Sequence, residues 1–206
     1  AWLRHYFEEH IYPVVTPLAV DSGHPFPFLT NHTINAIVRI FQILPDGTKD
    51  YKIAILPIPS VLDRIIEIPS RGNKEHRFVY LEDVITYYAI QFFQGYGIED
   101  YMVFRITRDA DLEIDEEEAT DLLSEVEESL RRRRRGDAVR LEVCGDVKDH
   151  LLDFVLTSVE LEQKDVYRID GHLDCRMYFD FCNYPGLDEL RYEPFDSKIP
   201  SELVDH

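Results

Sequence analysis

The sequence predicts an α+β fold: a mixed, largely antiparallel sheet with hairpins, packed against several helices. Three observations predict it. The stretch TINAIVRIFQIL at 33–44 is dense in β-branched and apolar residues, as a buried strand requires. The turn PDGT at 45–48 joins it to a second such run, YKIAILPIP, so the two form a hairpin. Helix-patterned segments fall between further strand-like runs without the strict β-α alternation of a parallel sheet.

Taken in order, residues 2–12 read as a helix with Trp2, Leu3, Tyr6, Phe7 and His10 on one face. The stretch PVVTPLAVDSGHPFPFLTN follows, with Pro13, Pro17, Pro25 and Pro27; each proline fixes φ and restrains the residue before it, so an extended, stiff segment is expected. After the 33–44 and 51–59 hairpin come short strands at 64–68 and 76–80, separated by the turn SRGNK. LEDVITYYAIQFF at 81–93 reads as a helix ended by Gly95 and Gly97. A strand is expected at 100–107, a helix at 115–135, a strand at 138–143, and helices at 146–158 and 173–181. After Tyr184 the sequence becomes proline-spotted and irregular. The expected division is a helical tail and proline-rich lead-in at 1–30, a core domain at 31–184 and a linker at 185–206.

The chain has 206 residues, 45% hydrophobic and 30% charged, which is enough to bury a core. Forty acidic residues against 22 basic ones give a formal charge of -18, so broad binding to nucleic acid or to anionic membranes is disfavoured and any anion site must be local. No apolar run reaches the ~18 residues of a membrane span, and the opening residues do not read as a signal peptide. Cys144, Cys175 and Cys182 are odd in number and unpatterned, and read as reduced thiols of a cytoplasmic protein. The sequence starts at Ala1-Trp2 inside a helical pattern and stops at IPSELVDH, so a fragment of a longer protein is expected.

Five consecutive arginines, Arg131 to Arg135, stand out in this acidic chain. They close the 115–135 helix, which Asp115 and Glu118 can cap at its start. Ala119, Leu122, Leu123, Val126 and Leu130 make its apolar stripe, and Gly136 suits the position just past its end. Ten acids and no base lie between Asp111 and Glu128, so acid at the start and base at the end both match the helix dipole. Glu127 with Arg131 and Glu128 with Arg132 add i,i+4 pairs. This ordinary reading leaves a remainder. At 3.6 residues per turn Arg133 falls about 20° from Leu122, inside the apolar stripe, and Arg134 about 120° away, at its edge. Guanidinium is well shaped for bidentate phosphate contact. Arg133, Arg134 and Arg140 on the next strand are therefore the candidates for contact with a phosphate chain or with another domain.

Other chemistry is sparse. Asp109, Asp111, Glu113 and Asp115 alternate as in a calcium loop, but Ile114 stands where glycine is needed and Thr120 where the bidentate glutamate belongs. In HYFEEH, His5 and Glu9 are i,i+4 but His10 turns away, which does not make a convergent zinc set. His24, His32, His76, His150, His172 and His206 show no ligand spacing. No GxxxxGK and no GxSxG occurs. From the residues alone no catalytic residue and no metal ligand is assigned, and Asn31-His32-Thr33 is a glycosylation sequon by pattern only.

Four blocks carry a resemblance: TPLAVDSGHPFPFLTNHTIN at 16–35, RFVYLEDVI at 77–85, FRITRDADLEIDEEEATDLLSEVEESLRRRRRGDAVRLEV at 104–143 and VYRIDGHLD at 166–174. In this order they resemble the middle, or head, domain of the long-chain, phosphohistidine-type bacterial polyphosphate kinases. The resemblance implies a parent enzyme that reversibly transfers the terminal phosphate of ATP onto polyphosphate, with Mg2+. It implies that the phosphorylated histidine and most ATP and Mg2+ ligands lie in C-terminal domains. The family's HHPY stretch has no counterpart among these histidines, so no catalytic residue is carried over and the fragment itself is expected to be inactive and without cofactor. Implied partners are the other domains of the same polypeptide, a homo-oligomer, and the polyphosphate chain through Arg133, Arg134 and Arg140. The alternative is a stand-alone protein-interaction module without phosphate ligand. A cytoplasmic location is expected, with membrane association of the parent left open.

Overall fold

The computed structural model describes residues 1–70, 75–109, 136–193 and 195. The chain divides into a compact unit Ala1–Leu173 and a second unit Asp174–His206.

The first unit is built on a six-stranded sheet in the order β1-β3-β2-β6-β7-β8. Its strands are β1 (Leu18–Val20), β2 (Ile34–Ile43), β3 (Lys49–Pro57), β6 (Gly97–Arg108), β7 (Ala138–Cys144) and β8 (Val166–Ile169). A separate hairpin pairs β4 (Ile65–Ile68) with β5 (Arg77–Tyr80). Every pairing is antiparallel except β7 with β8. The expected mixed, largely antiparallel sheet is thus present, and the β2–β3 hairpin closes over the PDGT turn, where Asp46 accepts from the Thr48 N–H at 2.9 Å.

β2 sits in the middle of the sheet and is buried on both faces. Ile34, Ala36, Val38 and Ile40 point into one core and Ile37 into the other, as the two-residue period of a strand demands. The first core is closed by the N-terminal helix, through Phe7 and Ile11, and by α2 (Leu81–Tyr87), through Leu81, Val84 and Ile85. The second is closed by α3 (Asp149–Val159), through Leu151, Leu152, Val155 and Leu156, against Met102, Phe104, Ile106, Leu141 and Val143. A sheet covered on both faces needs strands without clean polar alternation, and β2 reads that way.

Several expectations are corrected in detail. The N-terminal helix is α-helical only over α1 (Trp2–Tyr6); Phe7–Ile11 is a π-turn closed by Tyr12 N–H donating to Phe7 C=O at 2.8 Å. The wider turn brings Phe7 and Ile11 together into the core and leaves His10 exposed. The 81–93 helix loses α geometry at Tyr88 (φ -97°, ψ 10°) and continues as a 3-10 turn over Ala89–Phe92. In the second unit α4 covers only Met177–Phe181, since Asp174 sits at φ 59°, where a right-handed helix cannot run. Strand β8 was not expected. The predicted 115–135 helix and the arginine run within it lie outside the described residues.

The proline-rich lead-in packs on the sheet of this unit. Phe26 joins the second core beside Phe154, and the Asn31 amide brackets the end of β6 by accepting from the Arg108 N–H at 2.9 Å and donating to the Arg108 C=O at 3.3 Å. At this same end of β6 a Cβ on Gly136 would stand 1.8 Å from the Asp109 carbonyl oxygen, so only glycine fits this approach of β7 to β6.

Candidate functional site

The β6–β7 register sets Val103 against Cys144, Arg105 against Glu142 and Thr107 against Arg140. Val103 and Cys144 border the first core, so alternation places Arg105, Glu142 and Arg140 on that same face, farther along the strands. The β7–β8 register adds Tyr167 beside Glu142.

Glu142 is the hub of this polar face. Its side chain is 8% exposed, and each carboxylate oxygen takes one guanidinium: Oε2 accepts from Arg105 Nε, and Oε1 accepts from Arg140 Nη2 at 2.7 Å. Arg140 also lies over the Tyr167 ring, 4.0 Å from its centroid, a cation–π contact that fixes the guanidinium plane. Glu142 thus serves both guanidiniums at once. Arg140 Nε is buried and makes no hydrogen bond. Most other described cations are matched one for one, as in Arg39 with Glu99, Arg77 with Glu75, Arg176 with Asp174 and Lys148 with Asp146. Of the three sequence-predicted contact residues the structure thus places Arg140, on a polar face and ion-paired; Arg133 and Arg134 fall outside the described residues.

A cleft of about 540 Å³ opens where the parallel strands β7 and β8 end, lined among others by Glu82, Asp83, Cys144, Gly145, Asp170 and His172. Glu82 is 2% exposed and is held by Arg64, whose Nη2 donates to it at 2.6 Å and also to the Leu173 carbonyl. His172 stacks on Tyr80 at 3.5 Å and faces Asp83 Oδ2 with Nε2 at 3.0 Å. Burial, followed by the nearby Glu82 and Asp83 charges, pushes the Cys144 thiol up to about 11. The cleft therefore offers a thiol and not a thiolate nucleophile. Sequence reasoning passed over Glu142 and Glu82, since each gains its meaning from an arginine distant in sequence.

The thiol has a measurable consequence. Cys144 holds its proton more tightly in the fold than at the ordinary value of 9.0. Its contribution to stability is full below that value and is lost as pH rises from there through about 11. At pH 8 a disulfide exchange reagent should label Cys175 and Cys182, both exposed, within the first minutes, and Cys144 only after denaturant is added. Three equivalents labelled at equal rates in the native chain would contradict this.

The described residues thus define an α+β domain with a charged face on β6 and β7. The chain belongs to the polyphosphate kinase family: the model of the polyphosphate kinase middle domain matches residues 1–181. It is 37% identical over 204 residues to the polyphosphate kinase of Pseudomonas putida, covering 98% of this chain and 28% of that protein. It is 41% identical over 207 residues to that of Halalkalibacterium halodurans, covering 99% of this chain and 29% of that protein. The fold is shared with the crystal structure of the polyphosphate kinase from Porphyromonas gingivalis, at a TM-score of 0.73 and 20% identity, over 100% of this chain and 28% of that one. The chain spans less than a third of the length of these relatives. Among the described residues no helix is long and apolar enough to cross a membrane.

Proposed function

We propose that this chain is the head domain of a polyphosphate kinase that reversibly transfers the terminal phosphate of ATP to inorganic polyphosphate. The family match over residues 1–181 carries this reading. Within that enzyme the domain's work is positioning. It holds the neighbouring domains and the partner subunit, and it contacts the polyphosphate chain through Arg140 together with Arg133 and Arg134. Phosphoryl transfer depends largely on positioning and electrostatic stabilisation, so a domain without catalytic groups can still set the rate and the product length. The placing of Arg140, joined to Glu142 and seated over the Tyr167 ring in a chain of formal charge -18, supports the polyphosphate contact. ATP and Mg2+ belong to the parent enzyme. The described residues offer no phosphate-cradling loop for the nucleotide, and no step of the transfer is assigned to them.

A domain exchange tests the proposal. This chain replaces the aligned 204 residues of the Pseudomonas putida polyphosphate kinase. The chimera should synthesise polyphosphate from ATP and Mg2+, the same enzyme lacking the segment should not, and this chain alone should show no turnover. A folded but inactive chimera, or turnover by the isolated chain, would overturn it.

A further inference from the structure

At the opposite end of β6 the strand carries a bulge. Arg39 pairs with Asp100 and Ile40 with Ile98, so Glu99 is the extra residue. In a regular strand Glu99 and Asp100 would face opposite sides. The bulge re-aims Glu99, and it converges with Asp100 on His150, from the first turn of α3. One ligand atom from each of the three lies within 4.8 Å of the others.

The spacing inside this group is informative. His150 Nε2 stands 3.6 Å from Asp100 Oδ2, too far for a hydrogen bond. It is close to the separation of about 3.4 Å that two ligands have on one tetrahedral ion with bonds of about 2.0–2.1 Å. Glu99 is held from outside: Oε1 accepts from the Tyr51 hydroxyl at 2.9 Å, and Oε2 pairs with Arg39 at 3.0 Å. A carboxylate has about four lone-pair sites, so these outer partners orient it and leave acceptor capacity. Two carboxylates outweigh Arg39, and Lys148 is engaged with Asp146 at 2.6 Å. The start of α3 disfavours a cation by its dipole, and the pair of acids opposes that effect.

We propose that Glu99, Asp100 and His150 form a binding site for a divalent transition ion of the zinc and cobalt class. One imidazole with two carboxylates suits these ions better than Mg2+, which takes oxygen donors in strict octahedral geometry. Bound there, the ion ties the start of α3 to the bulge of β6 and stabilises the native chain by mass action. This site is separate from the face around Glu142 and does not rest on the kinase reading.

The test is titration of the chain with zinc chloride by calorimetry and with cobalt chloride by visible absorption. The expected result is one equivalent bound with a raised Tm, and affinity weakened about tenfold or more in His150→Ala and in Asp100→Asn. His24→Ala, at a separate exposed histidine–aspartate pair, should bind as the unaltered chain does. Far-UV circular dichroism checks that the variants fold, and Asp100→Asn carries the test if His150→Ala does not. The cobalt spectrum should lack a thiolate charge-transfer band, which separates this site from the cysteines. No binding by the unaltered chain at submillimolar zinc, unchanged affinity in both variants, or a thiolate band would each overturn the proposal.

Discussion

Replacing Glu82 by alanine is expected to lower the unfolding free energy of this chain by about 3–5 kcal/mol, the usual cost of removing one partner from a buried ion pair. Glu82 is 2% exposed and Arg64 16%, so the guanidinium left behind is largely out of water. It would keep its bond to the Leu173 carbonyl but lose the buried Glu82 charge. Arg64 precedes β4 and Glu82 opens α2, so the pair joins the small hairpin to the helix that closes the first core. The double variant Arg64→Met/Glu82→Leu should recover most of the loss, because an apolar pair of similar volume leaves no charge stranded. Urea denaturation of the three proteins measures this. A Glu82→Ala loss below about 1 kcal/mol would mean that water reaches Arg64.

The second large effect concerns Glu142. Glu142→Gln should cost about 2 kcal/mol, since two charge-assisted hydrogen bonds lose their anion while the side-chain shape is kept. It should also strengthen polyphosphate binding. The glutamine variant removes the one negative charge that Arg105 and Arg140 share. Association should then tighten and its salt dependence steepen. A variant that is less stable yet binds polyphosphate no more tightly would separate Arg140 and Arg105 from the phosphate chain. They would remain as structural contacts. Stability by denaturant and affinity by fluorescence anisotropy, taken on one preparation, keep the two effects apart.

The long strands were legible because β2, β3, β6 and β7 are runs of β-branched and apolar residues in which the strand pattern has no rival. β8 was not, because four residues, VYRI, carry too little period and their parallel partner is reached only through α3. The π-turn escaped for a related reason: Phe7 and Ile11 fit an α-helical stripe almost as well as the one they form. At the polar face, Arg140 could be singled out by its nearness to the arginine run. Glu142, two residues on and so on the same face of β7, was open to the same alternation argument, but its role depends on Arg105 across the sheet. Glu82 reads in sequence as an ordinary acid at a helix start, and Arg64 gives it its partner through tertiary packing. Glu99 and Asp100 converge only through a bulge, which no residue pattern in 97–108 announces.

In the proposed function the arginines of this acidic domain hold the polyphosphate chain. The most direct measurement is the binding of labelled polyphosphate to this chain at low and at physiological salt, compared with Arg133→Ala/Arg134→Ala and with Arg140→Ala. The expected result is binding that falls steeply with salt, is lost in the double variant and is weakened in the single one. Absence of binding at low salt, or binding unchanged in all variants, would contradict it and leave the domain an element of assembly.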